Sequence, residues 1–164
     1  MPSIVIFTQE LLNRIFMLKP LIWLTTMDKL EVFTDGGARN NPGPAALGVV
    51  IGNKEYSQYL GEATNNEAEY QAIIFALKKS KQLLGKEKLA NTKIIINSDS
   101  ELVVKQLNGQ YKILEPELGK LFITVWNLRL DFPNLVFNLI PREENKRADR
   151  LVNEALDGRL NSLF

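Results

Sequence analysis

Cysteine and histidine are both missing from this chain of 164 residues. Without cysteine there are no disulfides, thiolate zinc sites, iron–sulfur clusters or cysteine nucleophiles. Without histidine, Ser-His-Asp triads, HExxH metalloprotease sites and imidazole acid–base chemistry are excluded. Net charge is scarce too. Lys and Arg number 20 against 19 Asp and Glu, a formal +1, so nothing draws the whole chain toward nucleic acid or a membrane surface. Contact with an anionic polymer has to come from a local patch. No apolar run reaches membrane-spanning length, and no basic start with a clean apolar core marks a secretory signal. We therefore expect a cytoplasmic protein with no membrane partner, acting as a monomer. What remains is 45% hydrophobic and 24% charged, the balance of one globular domain. Any proton or metal chemistry falls to carboxylates, with Lys, Arg, Tyr or Ser in support.

Residues 1–27 differ from the rest. Ile4-Val5-Ile6-Phe7 and Leu21-Ile22-Trp23-Leu24 are apolar, interrupted by Glu10, Arg14, Lys19 and Pro20. We read this stretch as an N-terminal extension, either an upstream start wrongly assigned or an added amphipathic helix, and residues 28–164 as the domain. From Leu30 the pattern is regular. Leu30–Thr34 reads as a strand and the Gly-, Asn- and Pro-rich Asp35–Ala45 as a loop. Ala46–Ile51 and Tyr56–Leu60 read as a hairpin turned at Gly52-Asn53. Asn66–Leu84 has helical spacing, and Lys93–Asn97 is a β-branched buried strand. Helices follow at Ser100–Leu107 and Glu117–Arg129, then a strand at Leu135–Ile140 and a helix at Asn145–Leu156. This order predicts an α/β domain: a mixed five-stranded sheet, three antiparallel strands and then parallel ones, with helices on both faces.

Four carboxylates stand out by position. Asp35 ends the first strand, in front of Gly36-Gly37. Asp99 ends the β-branched strand, where ligand sites of open α/β sheets tend to lie. Glu69 shares a helix face with Ile73 and Ala76, so it points inward, whereas Glu67 faces Gln71 and Lys78. Asp149 shares a face with Val152 and Leu156. Each alone has an ordinary role open to it, as a turn or helix cap or a partner of the helix dipole. Together, on two strand ends and two helix starts, they can converge on one edge of the sheet. Such a cluster repels itself unless cations are present, and oxygen ligands suit Mg²⁺ or Mn²⁺. Two such ions about 4 Å apart are a standard device for phosphodiester cleavage.

Four motifs then carry a family resemblance. They are Phe33-Thr34-Asp35-Gly36-Gly37-Ala38-Arg39-Asn40-Asn41-Pro42-Gly43-Pro44, Thr64-Asn65-Asn66-Glu67-Ala68-Glu69, Ser98-Asp99-Ser100 and Asn145-Lys146-Arg147-Ala148-Asp149-Arg150-Leu151. In this order, over roughly residues 29–157, the chain resembles the type 1 ribonucleases H, which cut the RNA strand of RNA–DNA hybrids. The resemblance implies that Asp35, Glu69, Asp99 and Asp149 hold two Mg²⁺ ions, with Mn²⁺ as a substitute. One would activate the attacking water and the other stabilise the leaving 3′ oxygen, giving 5′-phosphate and 3′-hydroxyl ends. It also implies that the Gly36 and Gly37 backbone meets RNA 2′-hydroxyls. Asn41 and Thr64 would hold a DNA phosphate, and Asn65 and Asn66 would touch the minor groove. Recognition by shape and backbone, independent of sequence, is expected.

Three departures qualify the resemblance. Many members carry a mobile His before the last helix. Here Arg142 lies in that loop and, unable to act as a base at neutral pH, would help electrostatically. Glu101 stands where the family often has an RNA-contacting Gln; it either weakens substrate binding or supplies an outer metal ligand. The Ser100–Leu135 stretch lacks a basic substrate handle beyond Tyr111 and Lys112, which predicts weaker hybrid affinity and steep salt sensitivity. The Lys78-Lys79-Ser80-Lys81 run, Lys86 and Lys88 read mainly as a solvated helix end. Rival readings are a DNA-directed nuclease of the same fold and a non-catalytic hybrid-binding domain. Cleavage of double-stranded RNA stays open as a side activity.

Overall fold

The computed structural model describes residues 27–161. The readings made for residues 1–26 lie outside them. The described chain runs β1 (Asp28–Ala38), β2 (Gly43–Ile51), β3 (Lys54–Ala63), α1 (Asn65–Asn91), β4 (Thr92–Ser98), α2 (Glu101–Leu107), α3 (Pro116–Arg129), β5 (Leu135–Leu139) and α4 (Lys146–Asn161). A single 3-10 turn, Arg142–Glu144, precedes α4. The sheet order is β3-β2-β1-β4-β5. β1–β2 and β2–β3 pair antiparallel, and β1–β4 and β4–β5 pair parallel. The mixed sheet predicted from the element order is the one observed, with β1 at its centre.

Alternation along the strands gives the sheet two apolar faces. Leu47, Val49 and Ile51 of β2 join Val32, Ile94 and Ile96 under α1 and α3, the side that carries the main core. Ala46 points the other way and packs with Val152 and Leu156 of α4. The inward face of α1 supplies Tyr70, Ile73, Ile74 and Leu77, all buried. The helix signal ending at Leu84 coincides with a break: Gly85 has φ of 68° and ψ of 171°, and a second helical stretch then runs on to Asn91. Gly52, with φ of 57°, turns the β2–β3 hairpin.

One expectation needs correction. Asp35–Ala45 is not one long loop. β1 continues through Asp35, Gly36, Gly37 and Ala38, which pair with Gly48, Leu47, Ala46 and Ala45 of β2. Only the residues between Ala38 and Gly43 turn. The glycines that suggested a loop serve close packing instead. A Cβ on Gly36 would fall 2.2 Å from the backbone carbonyl carbon of Ala68, and one on Gly48 would fall 2.3 Å from the carbonyl oxygen of Ala148. At these two seams α1 and α4 come directly against the strand backbone.

Candidate active site

The Gly36 seam brings the first turns of α1 against the end of β1, which sets Glu69 beside Asp35. β4, parallel to β1, ends next to it and presents Asp99. The Gly48 seam draws α4 across the other face and presents Asp149 from its first turn. The four carboxylates thus line one open cleft of about 390 Å³, together with Gly36, Gly37, Ala38, Arg39, Asn65, Arg142 and Asn153.

The cleft is strongly acidic. Asp35 is buried at 8% exposure. Burial first, and then the charges of Asp99 and Asp149, push its carboxyl up from 3.8 to about 7, against the lowering effect of the Gly36 N–H and of Arg142. Glu69 is raised well above the ordinary range by burial and then by Asp35 and Asp99. Its Oε2 is fully enclosed and has no hydrogen-bond partner. Arg142 answers part of this charge: Nη2 donates to Asp149 Oδ1 at 3.0 Å while the side chain stays 77% exposed. Asn153 Nδ2 reaches Asp149 Oδ2 at 3.3 Å. Among the described residues no three acidic groups stand close enough together to form a ready metal-ligand set. The donor chemistry nevertheless suits hard divalent cations: carboxylate oxygens, an orphaned buried one among them, in excess over positive charge.

The remaining predicted residues fall into two groups. Asn65 reaches the cleft, where its Oδ1 accepts from the Ala38 N–H at 2.7 Å. Asn41 Oδ1 accepts from the Asn65 N–H at 2.8 Å, so both side chains tie the 39–42 turn to the start of α1. Thr64 caps α1 in a full capping box whose partner is Glu67, with Oγ1 to Oε2 at 2.8 Å. Asn66, half-buried, lies on the same first turn. Glu101 is not brought into the cleft. Its carboxylate is taken by Lys105 Nζ at 2.6 Å and Tyr111 Oη at 2.9 Å, on the exposed side of α2.

Sequence reasoning passed over Asn145. It is 1% exposed and donates from Nδ2 to Asp99 Oδ1 at 2.5 Å and to the Thr34 carbonyl at 2.9 Å. Asn directly before a helix reads as a cap; no local periodicity shows contacts reaching back 46 and 111 residues. Gly48 was also unmarked, although a glycine inside a strand pattern is a sign of close backbone approach.

A family profile described as reverse transcriptase-like matches residues 33–155. The ribonuclease H of Chromobacterium violaceum is 33% identical over 153 residues, covering 82% of this chain and 99% of that protein. The chain belongs to the type 1 ribonuclease H family. Among solved ribonucleases H, LC11-RNase H1 in complex with an RNA/DNA hybrid superposes with a TM-score of 0.75 at 48% identity, covering 80% of this chain and 99% of that one. The bifunctional protein Rv2228c of Mycobacterium tuberculosis is 38% identical over 136 residues. There the chain spans only 36% of the relative's length, about a third. No helix among the described residues of this ribonuclease H family member is long and apolar enough to cross a membrane.

Proposed function

We propose that the protein is a metal-dependent endonuclease that hydrolyses the RNA strand of RNA–DNA hybrids, leaving 5′-phosphate and 3′-hydroxyl ends. The observation that carries this reading is the convergence of Asp35, Glu69, Asp99 and Asp149 on one cleft, with Asp35 pushed up to about 7 by burial and by its acidic neighbours. The likeness to LC11-RNase H1, solved with a hybrid, supports the choice of substrate. The same four carboxylates would hold two Mg²⁺ or Mn²⁺ ions, which supply an activated water and charge stabilisation at the departing 3′ oxygen when bound.

The chain's own residues do the rest. Gly36, Gly37 and Ala38 line the cleft with backbone and almost no side chain, so the RNA strand approaches closely enough for its 2′-hydroxyls to be sensed. Asn41, Thr64, Asn65 and Asn66 sit together around the start of α1, the side on which we place the DNA strand. Arg142 is held over the cleft through Asp149 and meets phosphate as a fixed positive charge. Glu101, engaged by Lys105 and Tyr111, contributes to the substrate face only if that pair opens. A cytoplasmic monomer is sufficient for all of these roles.

The deciding experiment incubates a labelled RNA–DNA hybrid with the protein and Mg²⁺ or Mn²⁺. Matched RNA–RNA and DNA–DNA duplexes and an EDTA control run beside it. The expected outcome is metal-dependent cutting of the RNA strand of the hybrid. Binding without cutting would move the assignment to a hybrid-binding domain, and cutting of the DNA duplex to a DNA-directed nuclease.

A further inference from the structure

Asn145, a buried polar residue, ties together three of the elements forming the cleft, two through its side chain and one through its backbone. Its Nδ2 donates to the Thr34 carbonyl, next to Asp35 at the end of β1, and to Asp99 Oδ1 at the end of β4. Its own carbonyl accepts the Asp149 N–H at 3.1 Å in the first turn of α4. The amide orientation is fixed by its neighbours: a flipped group would set the side-chain carbonyl against two acceptors. The outward Oδ1 is buried and has no partner. A buried acceptor left unpaired works against stability, so local stability alone does not account for this residue.

We propose that Asn145 is a positioning residue that fixes the Asp99 carboxylate relative to Asp35 and Asp149, so that the cleft binds divalent cations in register. This inference rests on the reading of the cleft as a metal-dependent hydrolytic site. Asparagine fits the task because one neutral nitrogen offers two hydrogens, one for a carbonyl and one for a carboxylate. Aspartate would add a like charge, alanine would leave Asp99 unheld, and serine keeps a single donor.

The test measures Mn²⁺ binding by calorimetry on the full chain without nucleic acid. It compares wild type, N145A, N145S, D99N and the D99N/N145A double variant; kcat and KM on the hybrid are measured in parallel with the catalytically competent variants. N145A should weaken Mn²⁺ binding by about 10- to 100-fold and lower kcat with little change in KM for the hybrid. N145S should fall in between, and it carries the test if N145A does not fold. In the D99N background, N145A should add no further loss. Variants that melt earlier but bind Mn²⁺ and turn over like wild type would reduce Asn145 to a structural tie and overturn the proposal. So would an undiminished effect of N145A in the D99N background, or a wild-type protein that binds no Mn²⁺. A wild type that binds Mn²⁺ yet leaves the hybrid intact would refute the hydrolase reading alone, and the binding heats would still judge Asn145.

Discussion

In the absence of divalent cations, Asp35 ties the stability of the fold to pH. Its carboxyl is raised from 3.8 to about 7. The folded state therefore holds this proton more tightly than the unfolded chain. The resulting stability is fully present below about pH 4 and is lost as pH rises through 7. Thermal melts in EDTA should show the midpoint falling across that window. D35N removes the titration and should melt a few degrees higher than wild type at pH 8, at roughly 2–4 °C per kcal/mol for a chain of this size. The same variant should abolish hybrid cleavage, because it replaces a carboxylate of the cluster while leaving packing alone; cleavage at the wild-type rate would refute the site assignment. Arg142 behaves differently. An ion pair whose arginine is 77% exposed contributes little stability, so R142A should unfold at nearly the wild-type urea midpoint while kcat falls about tenfold, the loss of one well-placed charge at about 1.4 kcal/mol. The acidic residues were legible in the sequence because strand ends and helix faces follow from periods of two and 3.6. Asn145 was not, because its significance lies in two partners distant along the chain. Glu101 shows the reverse case: the motif points to it, and a lysine four residues on claims it.

The elements meet where glycine lets backbone touch backbone. G36A would thrust a methyl group into the Ala68 carbonyl carbon at 2.2 Å, and G48A into the Ala148 carbonyl oxygen at 2.3 Å. Neither obstacle is a side chain that can swing away. Each substitution should cost about 3 kcal/mol or more in urea unfolding. Each should also cut cleavage beyond what instability explains, G36A by lifting Glu69 from Asp35 and G48A by lifting Asp149. Wild-type stability in either variant would contradict the close seams. These seams also explain the error over Asp35–Ala45. Gly, Asn and Pro in a row are the composition of a turn, and locally Gly36-Gly37 has nothing else to declare. That they pair with Leu47 and Ala46, under a helix, depends on elements that come later in the chain. By contrast, the β2–β3 hairpin and β4 were legible at once, because Gly52-Asn53 and the Ile94-Ile95-Ile96 run carry their own geometry.

Across the whole molecule, the proposed activity asks a near-neutral chain to grip a polyanion with a cleft that is itself acidic. Affinity then depends on metal ions and on a few cations such as Arg142. Hybrid binding should weaken roughly 40- to 150-fold between 50 and 200 mM salt if three or four phosphates are contacted, measured by fluorescence anisotropy with the divalent ion held constant. A flat salt profile would mean that recognition rests on neutral contacts instead. The topology was legible at this scale, since three strands before the first helix and alternation afterwards leave few arrangements of a mixed sheet. The place of α4 after every other described element also has a consequence in time. Asp35, Glu69 and Asp99 all emerge from the ribosome before Asn145 and Asp149, at and within α4, the last of the described elements. A growing chain can pair β1 with β2 and lay down α1 while the fourth carboxylate is still unmade. Synthesis therefore acts as a built-in delay: the nascent polypeptide carries three of its four cleft carboxylates on an unfinished site until α4 has been made.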